Sequence, residues 1–268
     1  MAWGRRGSGP SLGKHGRVPD QMMRVALAVP CYVDQLRPEA ARATLVLLER
    51  LGCKVSLAFD APCCGQPMNN AGAVADARAA AGNWAASAQL FDVVVMPSGS
   101  CTHHVRHHLP GLVDGETGAH AAQVTFELCE FIAGPLGMAH LPGRFPHRVA
   151  MHLGCHAQRG LGLGGSSELH QPVSGPMHSL LSGLEGLTVV PLDRADECCG
   201  FGGSFAIGEP ELSVAMGRAR IADYTSHQAE VLVSSDPSCL MHLEGVARHG
   251  ATMLRTMHIA ELLEEATR

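Results

Sequence analysis

The chain is short of aromatic residues (4%), of charged ones (17%) and of long apolar runs. Each shortage excludes something. No apolar stretch approaches the roughly 18–20 residues of a membrane-spanning helix, so no span is expected. No lysine- or arginine-rich stripe carries aromatics between its charges, which argues against a nucleic-acid face. The formal net charge is -5, and the 16 histidines add positive charge only in acid, so no standing attraction to phosphate is implied. No Ser-His-Asp order or paired-carboxylate setting stands out, and hydrolysis has no support. What is plentiful is apolar residues, 46% of the chain, enough to bury a core and to exclude disorder through most of its length. Residues 1–22 are the exception. Arg5, Arg6, Gly7, Ser8, Gly9 and Pro10, then Lys14 and Arg17, read as a disordered leader. A twin arginine with no apolar segment behind it is not an export signal, and a cytoplasmic protein is expected.

Against that background ten cysteines are conspicuous. In a reducing compartment disulfides rarely persist, and many cysteines point to metal or redox chemistry. Eight of them fall into a pattern written twice. The first half has Pro30-Cys31-Tyr32, Cys63-Cys64-Gly65 and Ser98-Gly99-Ser100-Cys101. The second has Gly154-Cys155-His156, Cys198-Cys199-Gly200 and Asp236-Pro237-Ser238-Cys239. The likeness runs on past the cysteines, since Glu127-Leu128-Cys129-Glu130-Phe131-Ile132 resembles His258-Ile259-Ala260-Glu261-Leu262-Leu263. Duplication is the economical explanation. Two domains follow, 23–145 and 146–268. Cys53 and Cys129 have no counterpart in the other half, sit in apolar runs, and read as buried core residues.

Periodicity puts the eight cysteines at equivalent points of a βα alternation. Arg24–Val29, Val55–Ala58, Val93–Met96, Arg148–His152, Leu187–Leu192 and Val231–Ser234 read as short buried strands. Pro38–Leu51, Val74–Leu90, Glu211–His227 and Ala260–Glu265 read as helices, with Pro38 and Pro210 at first-turn positions. The expected fold is α/β, as two tandem homologous Rossmann-like units with parallel sheets. In such sheets ligands gather at loops beyond the carboxyl ends of the strands, where the cysteines lie. Cys31, Cys63, Cys64 and Cys101 would form one site, and Cys155, Cys198, Cys199 and Cys239 the other.

Thiolates select iron–sulfur clusters, zinc or copper(I), and four of them suit a zinc ion or a cluster. Vicinal cysteines in an extended segment point to opposite sides, which favours a larger cluster over one small ion. Gly65 and Gly200 would let backbone approach a bulky inorganic core. Zinc in one half stays open.

These motifs resemble the cysteine-rich (CCG) domain family, which includes the cysteine-rich subunit of heterodisulfide reductase and the iron–sulfur subunit of glycolate oxidase. Longer stretches resemble its lactate-utilization branch: Val29-Pro30-Cys31-Tyr32-Val33-Asp34-Gln35, Cys63-Cys64-Gly65-Gln66-Pro67-Met68, Ser98-Gly99-Ser100-Cys101, Glu197-Cys198-Cys199-Gly200-Phe201-Gly202-Gly203 and Ser238-Cys239-Leu240-Met241-His242. The resemblance covers residues 23–268. It implies an electron-transferring oxidoreductase subunit, active only with partner proteins, in a system that oxidises L-lactate to pyruvate. The implied partners are a second iron–sulfur protein and a third subunit. Glycolate oxidation and heterodisulfide reduction are the alternatives within the family, and a zinc-stabilised, non-redox assembly module is the alternative outside it. The wider family often ends each motif with Cys-x-x-Cys. Ser98 and Asp236 stand at those positions here, so a four-thiol cluster, [4Fe-4S] in each half, is expected rather than a fused one. Asp236 either ligates iron or caps the following helix, and the cap is preferred.

Four histidines, His103, His104, His107 and His108, follow Cys101 on an expected helix. They read as surface residues, with a second metal site as the sharper alternative. His152, His156 and His242 are candidates to hydrogen-bond cluster sulfurs. The run Gly160-Leu161-Gly162-Leu163-Gly164-Gly165 lacks the strand–turn–helix context of a dinucleotide loop and reads as a flexible loop beside the second site.

Overall fold

The computed structural model describes residues 24–268, so the leader and Met23 lie outside the described residues. The first half runs β1 (Arg24–Leu27), α1 (Cys31–Leu36), α2 (Pro38–Arg50), β2 (Lys54–Ser56), α3 (Gln66–Asn70), α4 (Val74–Ala88), β3 (Val93–Met96), α5 (Gly99–His107), α6 (Leu109–Leu112), α7 (Glu116–Val124), β4 (Thr125–Glu127) and α8 (Leu128–Ala133). The second begins with β5 (Arg148–His152), a π-helical turn (His156–Gly160) and a 3₁₀ turn (Ser167–Leu169). It continues with α9 (Pro176–Ser182), β6 (Thr188–Val189), α10 (Ser204–Gly208), α11 (Pro210–Ser226), β7 (Val231–Ser234), α12 (Pro237–His249), β8 (Arg255–His258) and α13 (Ile259–Ala266).

Each half contains one four-stranded parallel sheet, ordered β2-β1-β3-β4 and β6-β5-β7-β8. The α/β fold expected from the sequence is the one observed. β3, β5 and β7 have the expected bounds, β1, β2 and β6 are shorter, and β4 and β8 are additional to the expected strands. Pro38 and Pro210 open α2 and α11, where their missing N–H costs nothing.

Side-chain alternation divides the core. Val25, Val95, Val149, Met151, Val231 and Val233 point to one shared cluster between the two sheets, filled by α2, α8, α9 and α13. Their neighbours Ala26, Val94 and Met96 face a second cluster with α4 and α7, and Ala150 and Leu232 face a third with α11 and α12. The shared layer is built twice over, because α2 packs on α13 and the corresponding α9 packs on α8. Both Cys53 and Cys129 are buried in it, as expected of core residues. No helix among the described residues is long and apolar enough to cross a membrane.

Candidate metal centre

The carboxyl ends of β1, β3, β5 and β7 deliver four of the eight repeated cysteines. Cys31 opens α1, Cys101 and Cys239 lie in the first turns of α5 and α12, and Cys155 immediately precedes the π-helical turn. The Cys-Cys-Gly loops supply the rest. In the first half neighbouring thiols influence one another in a chain, Cys31 with Cys63, Cys63 with Cys64 and Cys64 with Cys101. In the second the chain runs Cys155 with Cys198, Cys198 with Cys199 and Cys199 with Cys239. The first set lines a small recess of about 30 Å³ together with Tyr32 and Trp84.

In each set one thiol is made more acidic at its neighbours' expense. Hydrogen bonds from Cys31 and Cys64, then the Gly65 amide, pull Cys63 far below the ordinary thiol range. Cys198 is pulled down in the same way by Cys155, Cys199 and the Gly200 amide. Their donors move the opposite way: Cys31 and Cys155 are pushed up, first by donating to the more acidic thiol and then by burial. The amides of Gly65 and Gly200 each lie 3.4 Å from the sulfur two residues before. Both glycines have positive φ, +92° and +93°. A Cβ would meet the Ala77 carbonyl oxygen at 2.9 Å in one loop and that of Ser213 at 2.6 Å in the other. Only glycine gives the loop this turn and this approach to α4 or α11.

The loops of the two sites touch. A Cβ on Gly99 would collide with Ala157, which follows Cys155 by two residues. Asp236, 2% exposed, caps α12 by accepting from the Ser238 amide at 3.1 Å. Its other oxygen accepts from the Ser100 amide of the first half at 2.7 Å, and Tyr32 donates to the first at 3.4 Å. Ser98 caps α5 by accepting from the Cys101 amide, and exchanges a 2.7 Å hydrogen bond with Tyr32. The two positions that depart from Cys-x-x-Cys are thus helix caps, and Asp236 also joins the halves. The cap was expected from the sequence; the link was not, because its partner lies 136 residues away.

The histidines divide. His104 is completely buried, with neither ring nitrogen hydrogen-bonded, and burial followed by repulsion from His108 lowers it to about 4. His103 is half-buried between His107 and His156, with ring centroids 4.9 and 5.0 Å away. The surface reading therefore fails for His104, and it holds for His107 and His108, which are exposed. No three of these rings bring ligating nitrogens close enough to form a metal site. His242 Nε2 lies 3.2 Å from the Ser213 carbonyl, a partner other than sulfur. His156 Nδ1 lies 3.9 Å from the Cys155 sulfur. A ring nitrogen of His152 lies within 4.8 Å of the sulfurs of both Cys199 and Cys239. Burial, then repulsion from Arg220, lowers His152 to about 4 and keeps it neutral. The glycine-rich run 160–165 leaves the π-helical turn, and Gly164 and Gly165 help line a recess beside Leu153 and Asp196.

Sequence reasoning missed Arg220 and Tyr224, which support His152 from α11. Arg220 is fully buried and paired with Asp223 at 2.9 Å, whereas Arg218 on the same helix is exposed. Nothing in the sequence separates the two arginines.

Comparison with known proteins agrees with this architecture. The model of the cysteine-rich (CCG) domain matches residues 25–106 and 149–244, once in each half. Lactate utilization protein A of an Exiguobacterium species is 36% identical over 255 residues, covering 92% of this chain and 99% of that protein. The protein of the same name from Bacillus velezensis is 37% identical, covering 90% and 99%. A crystal structure of a hypothetical protein from Helicobacter pylori shares the fold, with a TM-score of 0.58 at 11% identity, over 91% of this chain and 49% of that one. A duplicated sheet with a Cys-Cys-Gly loop in each copy, and full-length likeness to these relatives, make the chain a member of the cysteine-rich (CCG) domain family, within its lactate utilization protein A group.

Proposed function

We propose that the chain is the iron–sulfur electron-transfer subunit of a system that oxidises L-lactate to pyruvate. Cys31, Cys63, Cys64 and Cys101 would hold one cluster, and Cys155, Cys198, Cys199 and Cys239 another. The observation that carries this reading is the pair of matching four-cysteine sets at the carboxyl ends of the two parallel sheets, each with a glycine that lets its Cys-Cys loop pack closely on a helix. Soft sulfur donors in fours fit a cluster, and no carboxylate belongs to either four-thiol set. When bound, a cluster supplies reversible one-electron transfer.

The protein's own part is to assemble the donors and to keep the site small. Cys64, Cys101, Cys199 and Cys239 are buried, while Cys31, Cys63, Cys155 and Cys198 are partly exposed, so each set has a solvent-facing side. Oxidation of lactate to pyruvate releases two electrons and two protons, and two one-electron sites in a single chain match that count. The partners expected from the family resemblance, a second iron–sulfur protein and a third subunit, would supply what this chain lacks for turnover.

The test is anaerobic purification with iron, zinc and sulfide analysis, and absorption spectra before and after dithionite. Iron with acid-labile sulfide and a bleachable visible band is the expected result. The complex reconstituted with its partners is then expected to bleach on addition of lactate, with glycolate and a disulfide as controls. Zinc without sulfide or a visible band would overturn the electron-transfer reading and leave a metal-stabilised assembly module.

A further inference from the structure

The two sites have the same thiols but different surroundings. Strand register makes His152 the counterpart of Ala28, since each ends the run that pairs with β7 or β3. Beneath the glycine of each Cys-Cys-Gly loop lie Ala77 and Ala80 in α4, and Ser213 and Met216 in α11. Four residues further along, Trp84 therefore matches Arg220, and a turn later Ala88 matches Tyr224. The first site thus has Ala28, Trp84 and Ala88 behind it, all in one apolar cluster with Cys64 and Cys101. The second has His152, Arg220 and Tyr224, all essentially without solvent contact.

The protons of this buried set can be assigned. Arg220 Nε donates to the Tyr224 hydroxyl at 3.2 Å, and a guanidinium cannot accept. The Tyr224 proton is therefore directed to its other neighbour, His152 Nδ1, at 2.9 Å. A neutral imidazole whose Nδ1 accepts carries its proton on Nε2. That nitrogen is buried and has no hydrogen-bond partner, sulfur included, within the protein. A buried donor left unpaired is unfavourable, and the Cys199 and Cys239 sulfurs lie within 4.8 Å of a ring nitrogen of His152, close enough for a small shift to bring one into reach. The same proton bars Nε2 from ligating a metal.

We propose that His152 Nε2–H donates a hydrogen bond to the thiolate sulfurs of the second site, Cys199 and Cys239, and so makes the two sites of one chain electronically unequal. The proposal rests on the iron–sulfur reading above. A donor to sulfur stabilises the added negative charge of reduction, and the buried Arg220 cation acts in the same sense, so the second site is the easier to reduce. His152 is a positioning residue for electrons rather than a ligand, with Tyr224 and Arg220 fixing its tautomer. Electrons entering the chain come to rest beside His152.

The experiment is a redox titration of the full chain purified anaerobically, read by electron paramagnetic resonance, with iron and sulfide measured for every variant. Wild type is expected to reduce in two separate steps. In His152→Leu the upper step is expected to fall by about tenfold in its equilibrium constant, which is about 59 mV for one electron, with the lower step unmoved. His152→Gln, whose amide can both accept from Tyr224 and donate to sulfur, is expected to restore most of the shift. If His152→Leu does not retain its iron, Tyr224→Phe carries the test, and its upper step is expected to fall by a smaller amount. Full iron and sulfide with neither step displaced in the variant that loads would overturn the inference and leave the iron–sulfur reading standing. Absence of iron and sulfide from wild type would overturn that reading, and the inference with it.

Discussion

At the residue scale the most demanding positions are those where only one side chain fits. Gly200 is one. Alanine there would have to adopt a left-handed backbone, at a cost of about 1–2 kcal/mol, with its methyl against the Ser213 carbonyl. Gly200→Ala is expected to lower the denaturation midpoint and to remove iron from the second site, leaving the first loaded; metal per chain beside a urea titration checks both. Cys198→Ser and Cys63→Ser make a matched pair, because each removes the most acidified thiol of one half. Each is expected to lose about half the iron, and the double variant nearly all of it. These residues were legible in the sequence, because a cysteine pair followed by glycine names its own chemistry. Arg220 and Tyr224 were not. Their partner His152 lies 72 residues from Tyr224 along the chain, and only the packing of α11 on β5 brings them together.

At the scale of elements, the duplicated stretch beginning at Glu127 and His258 has a structural meaning that its sequence likeness only hinted at. Both residues end an edge strand and cap the helix that follows, and Glu130 and Glu261 reach back to the capping backbone. β4 and β8 are illegible in the sequence because Thr125–Glu127 and Arg255–His258 are mostly polar and lack the apolar run that marks the other strands. The two caps differ in what they ionise. Burial pushes Glu127 up to about 8, against about 4.3 for an unfolded glutamate. The folded chain therefore holds this proton more tightly. Its stabilisation is fully present below the unfolded value and is lost as pH rises through about 8. Glu127→Gln imitates the protonated form at every pH. Relative to it, wild type is expected to lose about 4 kcal/mol between pH 4.5 and pH 8.5, and chemical denaturation at several pH values measures the difference. A constant difference across that range would contradict the assignment.

At the scale of the whole molecule, the sequence made the parallel α/β architecture and its repetition legible, since both follow from apolar periodicity and recurring motifs. It left open how the copies meet. That depends on α2 against α13 and α8 against α9, contacts with no signature beyond an apolar helix face. It depends also on Asp236. Its carboxylate accepts from the amide before Cys101 and from the amide before Cys239, so one buried group steadies both thiol sets. Asp236→Ala would strand these donors at about 1–3 kcal/mol each. The expected result is a single, lower unfolding transition and reduced iron in both halves, with Asp236→Asn recovering part of each. Loss confined to the second half would show that the contact to Ser100 contributes little.

The paired contacts of α2 with α13 and of α9 with α8 are those of an isologous interface, in which one surface meets its own copy across a two-fold axis. A chain of half this length could have formed the same body as a homodimer, but every change in such an ancestor would have appeared on both sides at once. Joining the copies end to end lifted that constraint. Asp236 opposite Ser98, and His152 opposite Ala28, are differences that no pair of identical half-length chains could carry. Fusion therefore gave the molecule a direction that no symmetric assembly of identical subunits can possess.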